Sequence, residues 1–168
     1  MLVQFRSTIA DSWIGMEAVK IGSISSRTPD TYVTVMDENR PVLRVDVYGN
    51  SDETFCFSES TVWKGWVIIG FGHRLYFVSL SDQKTLTFYL ESYFRELYIT
   101  RDLLFVASAS QVFCINPEGT LLWSSNILGI DGVVITKIGI ESIIGKGEWD
   151  PPGGWQPFKI NIKNGVMI

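Results

Sequence analysis

An apolar run, a break at a small residue and a second apolar run recur along this chain. Val67-Ile68-Ile69-Gly70 leads into Leu75-Tyr76-Phe77-Val78, and Leu104-Phe105-Val106-Ala107 leads into Val112-Phe113-Cys114-Ile115. Ile143-Ile144-Gly145 opens a third copy. The break moves 37 residues from Gly70 to Ala107 and 38 from Ala107 to Gly145. A period of this length, with paired strands in each copy, is the rhythm of propeller blades or stacked β units. Such units build stiff binding surfaces and carry no chemistry of their own.

Each copy also closes in turn chemistry. Ser79-Leu80-Ser81-Asp82-Gln83-Lys84 precedes Thr85-Leu86-Thr87-Phe88, Asn116-Pro117-Glu118-Gly119 precedes Thr120-Leu121-Leu122-Trp123, and Asn164-Gly165 precedes Val166-Met167-Ile168. Proline at the second turn position with glycine at the fourth suits a type I turn, and Asn-Gly suits a hairpin. Upstream, Thr31 to Met36 and the alternating Val42-Leu43-Arg44-Val45-Asp46-Val47-Tyr48 predict a hairpin across a loop of about five residues. Thr54-Phe55-Cys56-Phe57 reads as the next strand.

Helix signals are sparse. Leu90, Tyr93, Phe94 and Leu97 share one helical face and allow two turns. Ala10 to Lys20 reads as helical or extended, with Gly15 against the helix. The fold class predicted is all-β: antiparallel β-hairpin repeats, propeller-like or sandwich-like, with at most one or two short helices. The 168 residues are expected to form a single β domain. Residues 1–60 make a divergent acidic β segment and residues 65–168 three repeat units of about 37 residues.

The net charge of −4 is concentrated. Residues 1–60 hold nine acids against five bases, and the remainder balances at nine against nine. An acidic segment lacks the Lys and Arg that phosphate contacts need, which argues against direct nucleic-acid binding. It suits a basic partner. No apolar run reaches the roughly 20 residues of a membrane span, and Met1 to Ser7 lacks the pattern of a secretory leader. A cytoplasmic location is the expectation. Cys56 and Cys114 lie in apolar or aromatic strand patterns and read as buried reduced thiols, with a disulfide left open.

The search for chemistry returns no catalytic residues. His73 is the single histidine and sits at a turn, whereas a zinc site needs three or four ligands. A dyad of His73 with Cys56 or Cys114 is disfavoured by the burial expected of both thiols. Asp37-Glu38 and Asp52-Glu53 read as solvated turns. Phosphate-loop, zinc-protease and nucleophile-elbow patterns are absent, so neither metal nor cofactor is implied. The richest candidate is the insertion Glu148-Trp149-Asp150-Pro151-Pro152-Gly153-Gly154-Trp155, read as a loop because Pro-Pro and Gly-Gly do not fit a strand interior. Large aromatics on such a loop are typical of binding hot spots. The alternative is that both rings fold back onto the core.

In rhythm, residues 65–168 resemble propeller repeats of the WD and quinoprotein type, without the quinone-binding consensus. The run Gly147 to Trp155, following Asp131-Gly132-Val133-Val134, is similar to a small group of bacterial β-proteins. Some similar acidic, cytosolic proteins are immunity partners of delivered toxins, including those of contact-dependent inhibition. The resemblance implies a non-enzymatic protein that plugs a basic nuclease toxin.

The leading expectation is therefore a toxin inhibitor that occludes its partner's active site, as a monomer in the complex. The expected contacts are Asp52, Glu53 and Glu59 together with Glu148, Trp149, Asp150 and Trp155. A module for a small ligand or carbohydrate, clamped between Trp149 and Trp155, is the second expectation. An enzyme using His73 with two or more acids is the third.

Overall fold

The first strands of four successive sheets lie side by side, and each sheet packs face to face on the next. The structure, a computed structural model, describes residues 1–24, 28–49, 57–150 and 153–168. Sheet A comprises β1 (Leu2–Arg6), β2 (Ala18–Gly22), β3 (Thr31–Asp37) and β4 (Arg40–Tyr48), with the short helix α1 (Asp11–Ile14) between β1 and β2. Sheet B is β5 (Ser58–Trp63), β6 (Trp66–Phe71), β7 (Arg74–Ser79) and β8 (Thr85–Tyr89). Sheet C is β9 (Phe94–Ile99), β10 (Leu104–Ser108), β11 (Val112–Ile115) and β12 (Leu121–Ser124). Sheet D is β13 (Gly132–Ile138), β14 (Ser142–Trp149) and β15 (Gly154–Asn161). Sheets B, C and D are antiparallel meanders in chain order. β1 abuts β5, β5 abuts β9 and β9 abuts β13, the neighbour relation of propeller blades.

The recurring apolar runs are the central strands of B and C. Both faces of these strands are covered, so β7, β10 and β11 are buried at every position. Val67, Ile69, Tyr76 and Val78 face Val33, Val35, Val45 and Val47 of sheet A. On the opposite face of sheet B, Ile68, Leu75 and Phe77 meet Phe94, Leu104, Val106 and Ile115 of sheet C. Phe105, Ala107 and Cys114 meet Val133, Ile143, Phe158 and Ile160 of sheet D. Alternation in a pleated strand thus assigns each residue to one of two cores.

Indole N–H groups fasten one sheet to the next. Trp63 donates to the Thr100 carbonyl at 3.2 Å, Trp66 to the Pro117 carbonyl at 3.0 Å, and Trp123 to the Ile162 carbonyl at 3.1 Å. Each ring buries its body in a core and satisfies its polar edge on a neighbouring turn.

Three local expectations are corrected and one left open is resolved. The segment Leu90 to Leu97 is not helical, and β9 begins at Phe94. Between Ala10 and Lys20 the chain is both: α1 ends before Gly15, and Ala18 starts a strand. The β3–β4 connection has two residues rather than about five, because Glu38 (φ 46°) and Asn39 (φ 64°) adopt the paired left-handed conformations of a type I′ turn. In the insertion, β14 runs through Trp149 and β15 resumes at Gly154, so most of the expected loop is a hairpin end. Pro157 is tolerated in β15 because that strand lies at the edge of sheet D. The strand expected over Thr54 to Phe57 falls mostly outside the described residues.

Candidate functional site

The β5, β9 and β13 ends that begin at Ser58, Phe94 and Gly132 gather a group of charged and aromatic side chains. At its centre is Arg95. In the ladder between β9 and β10, Ala107 pairs with Glu96 while the next residue, Ser108, pairs with Phe94. Arg95 is therefore the extra residue of a β-bulge, a device that re-aims a side chain out of the regular pleat. Its guanidinium carbon lies 4.7 Å from the centroid of the Phe57 ring and 5.8 Å from that of Trp155. Phe57 stacks on Tyr93 at 6.0 Å, and the Tyr93 hydroxyl reaches the Asp131 carbonyl at 2.6 Å and Oδ1 at 2.9 Å. Among the described residues, the buried Arg95 Nε has no hydrogen-bond partner.

Gly132 leaves room for this arrangement. A Cβ there would stand 3.2 Å from the Trp155 ring, 3.5 Å from Glu148 Oε2 and 3.6 Å from Arg95 Nη1. Glu148 and Trp155 are direct cross-strand partners and share one face of sheet D. Trp149 pairs with Gly154 one position along, so its side chain projects from the opposite face. The two tryptophans therefore do not confront each other across one slot. Trp155, 43% exposed, faces Arg95 instead.

Phe57, Ser58, Glu59, Arg95 and Glu96 line a cavity of about 340 Å3. Both of its carboxylates are held from within. Glu59 accepts the Leu97 N–H at 2.8 Å, and Glu96 accepts the Tyr98 hydroxyl at 2.6 Å. Tyr98 in turn accepts the Ile135 N–H of sheet D at 3.0 Å. Burial raises the Glu59 pKa above its ordinary value, the Leu97 N–H opposes the rise, and the Glu96 charge adds to it. The Tyr98 hydroxyl is raised too, first by burial and then by its hydrogen bond to Glu96.

Of the residues singled out from sequence, Glu59, Glu148 and Trp155 come together around Arg95. Trp149 lies on the far face of the hairpin, and Asp150 is exposed at its tip. Asp52, Glu53 and Cys56 lie outside the described residues. Sequence reasoning missed Arg95, Glu96, Phe57 and Tyr93 as site residues. Cys114 is a free thiol in the core between C and D, and burial raises its pKa to about 11. His73 occupies the two-residue turn between β6 and β7. Among the described residues no three His, Cys, Asp or Glu side chains are grouped to hold a metal, and no helix is long and apolar enough to cross a membrane.

No protein-family model matches the chain, and a search of the curated proteins finds no match.

Proposed function

We propose that this chain is a non-catalytic binding protein that neutralises a basic protein toxin, most concretely a nuclease, by covering its active site. The contact surface in this reading is the mouth around Arg95. The observation that carries it is the convergence of Glu59, Glu96 and Glu148 with Phe57 and Trp155 at one end of the molecule. A surplus of carboxylates beside large rings complements a site that presents Lys, Arg and His to phosphate. Trp and Arg are also the residues that dominate interface energetics. The protein acts from the cytoplasm, as a monomer in the complex, without binding nucleic acid or membrane itself.

The test is to purify the chain with the product of the adjacent gene and to measure whether it suppresses that product's activity. A stoichiometric complex that abolishes the activity supports the reading. A neighbour that neither binds nor is inhibited contradicts it.

A second reading, a small-ligand module, is favoured by the cavity itself. Its volume of about 340 Å3 lies within the range of small-molecule sites, roughly 300–1,000 Å3.

A further inference from the structure

The cavity holds one guanidinium and two carboxylates that are not paired with one another. Among the described residues the ion pairs are Met1–Asp37, Arg44–Asp46, Lys64–Asp102 and Lys84–Asp82, and none of them involves Arg95, Glu59 or Glu96. The reason is geometric. Glu59 is turned to the Leu97 N–H, Glu96 to the Tyr98 hydroxyl, and Arg95 is held between the faces of Phe57 and Trp155. Ring faces satisfy the charge of a guanidinium and leave its in-plane N–H donors unused. Each carboxylate keeps acceptor capacity beyond the single bond it makes.

From this juxtaposition we infer that the cavity binds a free basic amino acid, its α-carboxylate on Arg95 and its amino groups on Glu59 and Glu96. The inference rests on the small-ligand reading and names its ligand class. A guanidinium fork selects a planar carboxylate in bidentate geometry. Glu59 and Glu96 in the cavity, with Glu148 close by at Gly132, outnumber the one guanidinium, an excess of negative charge that favours a cationic ligand over an anionic one. Burial chiefly, and the Glu96 charge to a smaller degree, disfavour the ionised form of Glu59, and an ammonium placed between Glu59 and Glu96 offsets both. Phe57 supplies an apolar wall for the aliphatic stem. A doubly anionic ligand meets the same two carboxylates as repulsion and is rejected.

The test is calorimetric titration of the full chain with L-lysine, L-alanine, L-glutamate, 1,5-diaminopentane and 6-aminohexanoate. L-lysine is expected to bind tightest, about tenfold tighter than 1,5-diaminopentane, which lacks the carboxylate. L-glutamate is expected to bind weakest. Arg95→Gln should bring L-lysine and 1,5-diaminopentane within about twofold of each other while 1,5-diaminopentane binding persists. Glu96→Gln, which keeps an acceptor for Tyr98, should weaken 1,5-diaminopentane. Thermal melts of both variants establish that they fold. A lysine preference that survives Arg95→Gln, or glutamate binding as tight as lysine, overturns the inference. So does a chain that binds none of the five; if that chain still inhibits its protein partner, the protein-binding reading stands and this one alone falls.

Discussion

A methyl group added to Gly70 would stand 2.2 Å from the ring of Phe94, inside the contact distance of any real carbon pair. Phe94 is wholly buried and belongs to the next sheet, so it has no open space to move into. The small residue that punctuates the first apolar copy is there because its neighbour's ring presses onto the backbone. Gly70→Ala is expected to destabilise the fold by about 1–3 kcal/mol, the cost of overpacking a filled core. Urea denaturation checks it through a lowered midpoint at unchanged slope.

Tyr98 joins the mouth to the core. Its hydroxyl donates to Glu96 of its own strand and accepts the Ile135 N–H of sheet D. Tyr98→Phe keeps the ring and removes both bonds, leaving a partly buried backbone donor unsatisfied. A loss of about 1–3 kcal/mol is expected. Amide hydrogen exchange should localise the effect, with faster exchange at Ile135 and unchanged protection in β6 and β7.

Glu59 gives a pH dependence of defined sign. Its pKa in the folded protein lies above the ordinary value of 4.5, chiefly because of burial. Between those two values the folded state holds the proton more firmly than the unfolded state. Folded stability therefore falls as pH rises through that window and the cost stays constant above it. Glu59→Gln keeps an acceptor for the Leu97 N–H and removes the buried charge. It is expected to raise the melting temperature at pH 7, with the gain vanishing below about pH 4.5. Melting curves of both chains across that range check the prediction.

The legible part of the fold follows from burial on both faces. β6, β7, β10 and β11 are sandwiched between neighbouring sheets, so they appear as unbroken apolar runs whose spacing reports the sheet period. Sheet A breaks that period for a topological reason. The excursion through α1 and β2 intervenes between β1 and its partner β3, and β2 crosses to the far edge to lie parallel to β4. The helix expected over Leu90 to Leu97 arose from the bulge. An extra residue at Arg95 puts Phe94 and Leu97 on the same face of a strand, a spacing of three that imitates a helical turn. The same bulge hid the centre of the site. Arg95 gains its meaning only from Phe57 and Trp155, which arrive from distant segments, and no local pattern joins the three. Glu148 and Trp155 were recognisable because large aromatics and acids near prolines and glycines mark a protruding hairpin end, whichever face each occupies.

The most direct test of the proposed binding function compares two charge reversals in calorimetric titrations against the product of the adjacent gene. Glu148 stands at the mouth beside Trp155. Glu118 is exposed on the β11–β12 turn, whose Pro117 carbonyl holds Trp66 at the start of β6, opposite Trp63 at the end of β5 away from the mouth. Glu148→Lys is expected to weaken binding at least about tenfold at low salt, with the deficit shrinking as salt rises, while Glu118→Lys leaves affinity unchanged. Equal affinities for both variants and the parent chain at every salt concentration would contradict the account.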